Sequence, residues 1–433
     1  MTDLLPTTPY RGTRDLLPQE MSVRQQFFHP LFEVIESYGF GRYDGPILEP
    51  VEIYEAKSGE EIANQQLYSL TDRGGRRLAL RPEMTPSAAR MIARNLGGLH
   101  LPVRWYSHVI CHRYERPQRG RLREHWQINV DIFGSDSIAC EIELFELIHD
   151  MMRSLGATEE MWALRVGDRV LLESILRDIV KVPEDRRQEV ASLVDRWAKY
   201  PREKLAEDAE KMSLTPAQFD LLEETLASGA EVLRAVPDEV AERSQVVRLL
   251  NSEARELVTF DPFIVRGLQY YTGTVFEVFD LHPENRRALF GGGRYADLAG
   301  LFTKQRIPGI GFGMGDVTLQ DFLQTHGLLP KPRPQADAVV IPLGEALLAE
   351  TRRMAGVLRR AGVRTSTPLE PRKLSKELAA ADQLGARVAV VVAEDEWRRD
   401  AVLVKDLATR EQREVPVAEL ADRVTAVLRS PAP

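Results

Sequence analysis

The chain has 433 residues, a formal net charge of -8, and a composition that is 43% hydrophobic and 28% charged. This length is too great for one ordinary hydrophobic core, so about two to four domains are expected. The longest apolar runs, such as Val388–Ala393, are far shorter than a membrane span, and the N-terminus shows no signal-peptide pattern. We therefore expect neither a membrane protein nor a secreted one.

The cysteine content favours a reducing compartment. Cys111 and Cys140 are the only two cysteines, which argues against a disulfide framework and predicts a cytoplasmic protein. Neither forms a zinc-like spacing with the histidines, so structural zinc is not expected. The net negative charge neither establishes nor excludes an RNA partner, because local charge matters more than the total.

The first 165 residues alternate helices with extended segments. Apolar residues at helical spacing predict a helix over Val23–Tyr38, in which Pro30 implies either a kink or a later start. A hairpin is expected about the turn at residues 72–75. The next predicted elements are, in order, a helix at Thr85–Leu96, strands at Val103–Val109 and Glu124–Phe133, and a helix at Ala139–Leu155. This pattern indicates an antiparallel sheet with helices packed on it.

A change of character follows. Residues 183–255 are rich in Glu, Arg, Leu and Ala and show no strand pattern, which predicts a helical insertion. Strand-like segments return at Phe263–Ile264 and Val275–Phe279, followed by two glycine-rich runs at Gly291–Tyr295 and Gly309–Gly315.

Pro330–Pro334 has three prolines in five residues and predicts a linker. An α/β alternation of about a hundred residues follows it. Its predicted strands are Ala338–Ile341, Val363–Thr365, Val388–Val392 and Val402–Val404, and its helices are Ala346–Ala361, Leu374–Leu384 and Ala418–Leu428. The expected domains are therefore 1–165 and 258–329 (one core in two parts), 166–257 (the insertion) and 330–433.

The stretch from Arg113 to Gln127 contains five arginines. The planar guanidinium group binds phosphate through two donors, and a cluster of such groups suits a triphosphate on which charge develops. A basic surface loop is the alternative. In the strand that follows, Gln127, Asn129 and Asp131 alternate with apolar residues, which is typical of a pocket wall or of an exposed sheet face.

Two further segments combine polar groups with strand or helix ends. Glu83 and Thr85 lie where a strand turns into a helix, so the carboxylate could hold an ammonium group, and Thr85 could cap the helix. Tyr270 and Tyr271 are successive and follow Arg266. One ring could then face a pocket while the other packs, although ordinary core packing is the alternative.

These segments resemble, in order, those of histidyl-tRNA synthetase, a class II aminoacyl-tRNA synthetase. The resemblance covers essentially the whole chain. The segments are Arg11-Gly-Thr-Arg-Asp-Leu-Leu-Pro18, Leu80-Arg-Pro-Glu-Met-Thr85, Arg113-Tyr-Glu-Arg-Pro-Gln118, Arg266-Gly-Leu-Gln-Tyr-Tyr271, Gly291-Gly-Gly-Arg-Tyr295 and Gly311-Phe-Gly-Met-Gly315. The resemblance implies an α+β class II synthetase core, an antiparallel sheet flanked by helices, with a helical insertion and a C-terminal α/β anticodon-binding domain.

The resemblance also implies ligands and roles. Histidine and ATP, with Mg²⁺, would form histidyl-adenylate, and the histidyl group would then pass to the 3′ end of tRNA(His). The helix Val23–Tyr38 and the segment near Pro46 resemble motif 1, through which the family forms homodimers. In the family pattern, Glu83 and Gln127 would bind the α-ammonium group, Thr85 would line the amino-acid site, and Asp131, Tyr270 and Tyr271 would surround the imidazole. Arg113 and the catalytic Arg266 would contact the α-phosphate. Glu115 and Arg121 would contact adenine and the γ-phosphate. No metal ligands are assigned.

Three positions depart from the family pattern. Asp131 stands where Glu is usual, so a shifted backbone or a water must make up one methylene. Gln269 stands where Asp is usual. Motif 3 normally ends Gly-Leu-Glu-Arg-Leu, but here it reads Gly315-Asp-Val-Thr-Leu319, which lacks the arginine that holds the γ-phosphate. Either Arg121, Arg123 or Arg306 replaces that arginine, or ATP binding is weakened.

Two other functions are compatible with the resemblance. The chain could be a paralogue that serves as a non-catalytic regulatory subunit of ATP phosphoribosyltransferase, although such paralogues generally lack the arginine found here as Arg266 and the anticodon domain. It could also be a synthetase-like binding or signalling module, which only the missing motif 3 arginine favours. Aminoacylation together with tight tRNA binding would separate the leading hypothesis from both.

Overall fold

The protein folds into two compact units that share the first long helix. A computed structural model describes residues 4–56, 66–197, 200–234, 236–265, 270–285, 288–370 and 372–430. One unit comprises Met1–Asp15 and Phe27–Leu329, and the other comprises Leu16–Gln26 and Pro330–Pro433. Arg266 and Gln269 lie outside the described residues.

The first unit is built on an eight-stranded sheet in the order β1-β5-β6-β11-β10-β9-β7-β8. Its strands are β1 Gly41–Arg42, β5 Val103–His112, β6 Glu124–Phe133, β7 Trp162–Asp168, β8 Thr259–Phe260, β9 Thr274–Asp280, β10 Ala288–Tyr295 and β11 Gly309–Gly315. The central strands are antiparallel, but the two edge strands β1 and β8 pair in parallel with their neighbours. The prediction of an antiparallel sheet is thus corrected to a mixed one. The predicted strand at Phe263–Ile264 is wrong, because the edge strand of this region is β8, which ends at Phe260.

A second, three-stranded sheet has the order β2-β4-β3. Its strands are β2 Leu48–Pro50, β3 Tyr68–Thr71 and β4 Arg77–Leu80. The pairing of β3 with β4 confirms the predicted hairpin. The Asp72 side chain closes its turn by accepting from the backbone N–H groups of Gly74 and Arg76.

Helices cover the eight-stranded sheet because their apolar residues face it. The helices around the two sheets are α1 Pro18–Ser37, α2 Glu52–Glu55, α3 Thr85–Asn95, α4 Ala139–Ser154 and α11 Asp316–Thr325. Phe28 of α1 packs on His108 of β5 with 4.3 Å between ring centroids, and Phe145 of α4 meets Phe276 of β9 edge-on at 5.0 Å. Helix α1 begins well before Pro30 and continues through it, so the later start is wrong.

Short helices fill the segment between β7 and β8. They are α5 Arg169–Ser174, α6 Glu184–Val194, α7 Arg202–Lys211, α8 Pro216–Ala227, α9 Asp238–Arg243 and α10 Gln245–Leu250. Buried aliphatic residues such as Val190 and Leu222 form the core of this segment. Trp197 stacks on Phe219 at 5.3 Å beside it. The bounds of the four predicted domains stay a prediction.

The second unit contains a five-stranded sheet in the order β13-β12-β14-β15-β16. Its strands are β12 Ala338–Pro342, β13 Thr365–Ser366, β14 Val388–Val392, β15 Ala401–Asp406 and β16 Gln412–Pro416, and its helices are α12 Leu348–Arg360, α13 Leu374–Gln383, α14 Glu394–Trp397 and α15 Leu420–Arg429. Strand β16 was not predicted, because only Val415 of its five residues is buried.

Among the described residues, no helix combines the length and the apolar character needed to cross a membrane.

Candidate active site

The loop between β4 and α3 carries Glu83, and a buried arginine holds this loop in place. Arg81 donates from Nε to the carbonyl oxygen of Ile110 at 2.9 Å and from Nη1 to that of Gly45 at 2.7 Å. The N–H group of His112 in turn donates to the Arg81 carbonyl oxygen. These bonds fix the loop against β5, so the Glu83 carboxylate has a defined position although it lies outside regular structure.

Glu83 and Tyr270 meet inside the protein. The Tyr270 hydroxyl donates to Oε2 of Glu83 at 2.7 Å, and the side chains of both residues are buried. Burial raises the pKa of Tyr270, and the negative charge of Glu83 raises it further. The tyrosine therefore stays a neutral donor to the carboxylate at neutral pH.

Tyr271 packs beside its neighbour. The two rings meet edge-on with 4.7 Å between centroids, and both lie in one buried cluster. A Cβ added at Gly293 would lie 2.7 Å from Cδ1 of Tyr271, so only glycine fits opposite this ring. The Tyr270 hydroxyl contacts Glu83, and the Tyr271 ring packs against Tyr270 and lies opposite Gly293 of β10.

The polar row on β6 is enclosed. Gln127, Asn129 and Asp131 are all buried, so the alternative of an exposed sheet face is wrong. Strand β11 pairs with β6 and faces this row with glycines. A Cβ at Gly311 would lie 2.2 Å from Oδ1 of Asp131, and one at Gly313 would lie 2.6 Å from Nε2 of Gln127. The glycine-rich run thus makes room for polar side chains in the middle of a sheet.

The two oxygens of the buried Asp131 carboxyl differ in their hydrogen bonding. Its Oδ1 accepts from the Tyr295 hydroxyl at 2.9 Å, while Oδ2 is buried and has no hydrogen-bond partner among the described residues. Burial raises the pKa of Asp131 from its ordinary 3.8 to about 7; the Tyr295 hydrogen bond opposes this rise, and the charge of Glu83 adds to it. A buried, unpartnered acceptor is costly unless a ligand donates to it.

Arg113 follows β5 and reaches the same region. Its Nε donates to the carbonyl oxygen of Pro82 at 3.0 Å, directly before Glu83. Burial lowers the pKa of His125 on β6 to about 3, and the positive charge of Arg113 acts in the same direction. Arg113 therefore lies beside both the Glu83 loop and the start of the polar row.

The rest of the arginine-rich loop is held by internal contacts. Arg121 donates from Nη1 to Oε2 of Glu115 at 3.1 Å, so the two residues assigned to ATP lie together. Arg123 donates from Nε to the Glu115 carbonyl oxygen, and its guanidinium group covers the Tyr114 ring at 4.3 Å. The structure therefore assigns Arg123 to shaping the loop.

The contacts of Thr85 and Arg306 do not support two of the predictions. Thr85 is the first residue of α3, but the N-cap is Met84 and no side chain caps the helix, so the capping role is wrong. Thr85 is half-buried, and its place in the amino-acid site stays a prediction. Arg306 is 57% exposed and pairs with Asp136 through two nitrogens, which argues against it as the replacement for the motif 3 arginine.

Tyr295 was not predicted as a site residue, and Asn129 was predicted only as a member of the polar row on β6. Tyr295 ends the run Gly291–Tyr295, and its alternation on β10 could have indicated that it faces the same interior as Asp131. The Asn129 side chain accepts from Nε2 of Gln127 at 2.6 Å, while its own Nδ2 is a buried donor without a partner in the part of the chain that the structure describes. Within the described ranges, no group of three or more metal-ligating side chains occurs.

Comparison with known proteins places these features in one family. A family model described as Histidyl-tRNA synthetase matches residues 12–317, and one described as Anticodon binding domain matches residues 337–426. A histidine–tRNA ligase from Leptospira biflexa is 38% identical over 417 residues, covering 94% of this chain and 95% of the relative.

Solved structures agree with this placement. Histidyl-tRNA synthetase from Nostoc sp. PCC 7120 has a TM-score of 0.81 at 25% identity and covers 98% of this chain and 100% of its own. A protein from Bacillus halodurans C, described as an ATP phosphoribosyltransferase regulatory subunit/histidyl-tRNA synthetase, has a TM-score of 0.72 at 22% identity, with 88% and 97% covered, and shows a shared fold alone. The predicted α+β class II core with a C-terminal domain is thereby confirmed, apart from the parallel pairing at the sheet edges. The chain belongs to the histidyl-tRNA synthetase family.

Proposed function

We propose that the protein is a histidine–tRNA ligase that activates histidine with ATP and then transfers it to tRNA(His). In the first step a histidine carboxylate oxygen attacks the α-phosphorus of ATP, and the bond to the β-phosphate oxygen breaks. Histidyl-adenylate forms and pyrophosphate leaves. In the second step a hydroxyl group at the 3′ end of the tRNA attacks the histidyl carbonyl carbon, and AMP leaves.

The observation that carries this proposal is the pair of buried carboxylates, Glu83 and Asp131. Each carboxylate accepts a hydrogen bond from one tyrosine, and the charge of one raises the pKa of the other. Two nearby carboxylates in a buried site are unfavourable without cationic or donor partners. Histidine supplies both, because its α-ammonium group and its imidazole N–H lie at opposite ends of a short molecule.

Each site residue then takes a role in this reaction. Glu83 and Gln127 bind the α-ammonium group, and Thr85 lines the amino-acid site. Asp131 accepts from the imidazole through Oδ2, with Tyr270 and Tyr271 beside it. A site built to hydrogen-bond a ring nitrogen rejects apolar amino acids of similar size, because its buried polar groups would then stay unpaired.

The arginines act on the triphosphate. Arg113 and Arg266 stabilise the charge that develops on the α-phosphate oxygens during attack. Glu115 and Arg121 contact adenine and the γ-phosphate. Mg²⁺ would enter with ATP and neutralise phosphate charge.

We also propose the wider setting of the enzyme. The second unit, which contains the segment matched by the anticodon-binding model, would bind the anticodon of the tRNA. The protein would act in the cytoplasm as a homodimer formed through the motif 1 region, which includes α1. Light scattering coupled to size-exclusion chromatography measures this state, and a monomer mass for the active protein would contradict it.

Histidine-dependent exchange of labelled pyrophosphate into ATP tests the activation step without tRNA. The proposal predicts exchange with histidine and none with the other amino acids. No exchange at saturating ATP would contradict it and would favour the regulatory-subunit alternative.

A further inference from the structure

The first turn of α11 lacks the positive charge that the family pattern places there. Thr318 occupies the position of the motif 3 arginine, and its hydroxyl donates to the carbonyl oxygen of Leu289 at 2.6 Å. The turn instead carries a buried carboxylate, Asp316. A Cβ at Gly120 of the arginine-rich loop would lie 3.4 Å from Cγ2 of Thr318, so this turn lies against the proposed ATP-binding loop.

An arginine from the N-terminal segment reaches this turn. Arg14 donates from Nη2 to Oδ2 of Asp316 at 2.7 Å, and Oδ1 of Asp316 accepts from the backbone N–H of Trp126 at 3.0 Å. The Arg14 side chain is 25% exposed, whereas that of Asp316 is 1% exposed. A guanidinium group has five N–H donors, so one held through Nη2 keeps others for a phosphate.

The backbone just before Arg14 is fixed at the start of β6. The carbonyl oxygen of Gly12 accepts from the N–H groups of Arg123 and Glu124. Gly12 has φ +90°, and a Cβ there would lie 2.8 Å from Cγ of Arg123, so the close approach requires glycine. The segment is therefore held in place before ATP binds.

Arg14 and Arg113 act on the same side chain. Both positive charges lower the pKa of the buried His125, after the larger effect of burial. Arg14 and Arg113, the residue proposed to bind the α-phosphate, therefore both lie within electrostatic range of His125.

Three other arginines near this region, Arg119, Arg123 and Arg306, each make at least two hydrogen bonds of their own. Arg123 is bonded to the loop backbone, and Arg306 is paired with Asp136 through two nitrogens. Arg119 contacts both carboxylate oxygens of Asp321 from Nε and donates from Nη2 to Asn285.

We propose that Arg14, held by Asp316 at the start of α11, supplies the γ-phosphate contact that Thr318 does not. This inference rests on the proposed function, since it assigns a residue to the same ATP site. The ligand is the terminal phosphate of ATP, bound through charge-assisted hydrogen bonds.

The test compares Arg14→Ala with wild type in histidine-dependent pyrophosphate exchange. We expect kcat/KM for ATP to fall about ten- to a hundredfold, as for loss of a hydrogen bond to a charged group, while KM for histidine changes by less than about twofold. Inhibition by AMP, which lacks the β- and γ-phosphates, should be the same in both proteins. The double variant Arg14→Ala/Thr318→Arg should have a kcat/KM for ATP at least about tenfold higher than Arg14→Ala alone, because a guanidinium group is then present in the first turn of α11.

Two controls separate phosphate binding from a structural ion pair. Arg306→Ala, a matched loss of one arginine, should leave both kinetic constants unchanged. Asp316→Asn removes the negative charge but keeps an acceptor for the Trp126 N–H. Its kcat/KM for ATP should stay at least about tenfold higher than that of Arg14→Ala. Equal effects of the Arg14 and Asp316 variants, parallel loss for ATP and AMP, or no restoration by Thr318→Arg would overturn the assignment. A wild-type protein without exchange would contradict the proposed function, whereas an active wild type matched by Arg14→Ala would contradict this inference alone.

Discussion

Asp131→Asn should impair histidine activation and change how the stability of the first unit depends on pH. The free energy of unfolding of the variant, minus that of wild type, should be more positive at pH 8 than at pH 5. The carboxyl has a pKa of about 7 in the folded protein and 3.8 ordinarily, mainly because it is buried. Because the folded protein holds the proton more tightly than the unfolded chain, raising the pH from about 4 to about 7 progressively destabilises the folded state. Below pH 4 the carboxyl costs no stability, and above pH 7 the cost is constant. At 1.36 kcal/mol per pKa unit, the full cost is about 4 kcal/mol.

A comparison between two pH values isolates the cost of ionising the buried Asp131 carboxyl. Between pH 5 and pH 8 wild type should lose about 3 kcal/mol through Asp131, and the variant should not. Asparagine keeps an acceptor for the Tyr295 hydroxyl but places an N–H₂ group where Oδ2 lies. An unpartnered donor there costs about 1–3 kcal/mol at either pH and cancels from the difference.

Urea unfolding at pH 5 and pH 8, followed by tryptophan fluorescence, measures the effect. Trp105 pairs with Asp131 across β5 and β6 and reports on this unit. Asp136→Asn is a matched control, because Asp136 is 48% exposed and its ion pair with Arg306 contributes about 1 kcal/mol at most. A variant-minus-wild-type difference that is equal at both pH values would refute the argument from burial.

Three further outcomes follow from the geometry. Tyr270→Phe removes the donor to Glu83 and should raise KM for histidine about tenfold in pyrophosphate exchange, with KM for ATP nearly unchanged; an equal rise in both would contradict a role in the amino-acid site. Glu141→Gln leaves the buried Arg294 without its carboxylate and should lower the free energy of unfolding by about 3–5 kcal/mol in urea titrations. The same change at the exposed Glu394 should cost about 1 kcal/mol or less, and similar losses for both would be inconsistent with burial as the cause. Removing Mg²⁺ with EDTA should abolish pyrophosphate exchange but leave histidine binding by calorimetry unchanged, whereas loss of histidine binding would show a metal in the amino-acid site.

Local patterns in the sequence predicted the strand that carries the polar row of the candidate site. Gln127, Asn129 and Asp131 alternate with apolar residues, and this period of two held along β6. Alternation alone left open whether the polar face was exposed. The answer lies in Gly311 and Gly313 on β11, which are far along the chain and leave the space that the polar side chains fill.

Contacts between distant residues were beyond such patterns. Arg14 and Asp316 are 302 positions apart, and Arg294 and Glu141 are 153 apart. Either charge in each pair would be typical of a surface when considered by itself. Only the fold brings them together, and burial then makes the pairing energetically important.

The edges of the sheets were also missed for physical reasons. Strands β1 and β8 have two residues each, which is too short for any periodicity. Strand β7 does alternate, with Trp162, Leu164 and Val166 buried, and this pattern could have been recognised. Strand β16 is mostly exposed, so its polar residues are typical of a loop as well as of an edge.

Charging of unfractionated tRNA with each amino acid in turn tests the central claim most directly. The account predicts that the purified protein, with ATP and Mg²⁺, attaches histidine alone, and that Asp131→Asn reduces this charging more than Asp136→Asn does. Absence of charging by any amino acid, or efficient charging by an amino acid other than histidine, would contradict it.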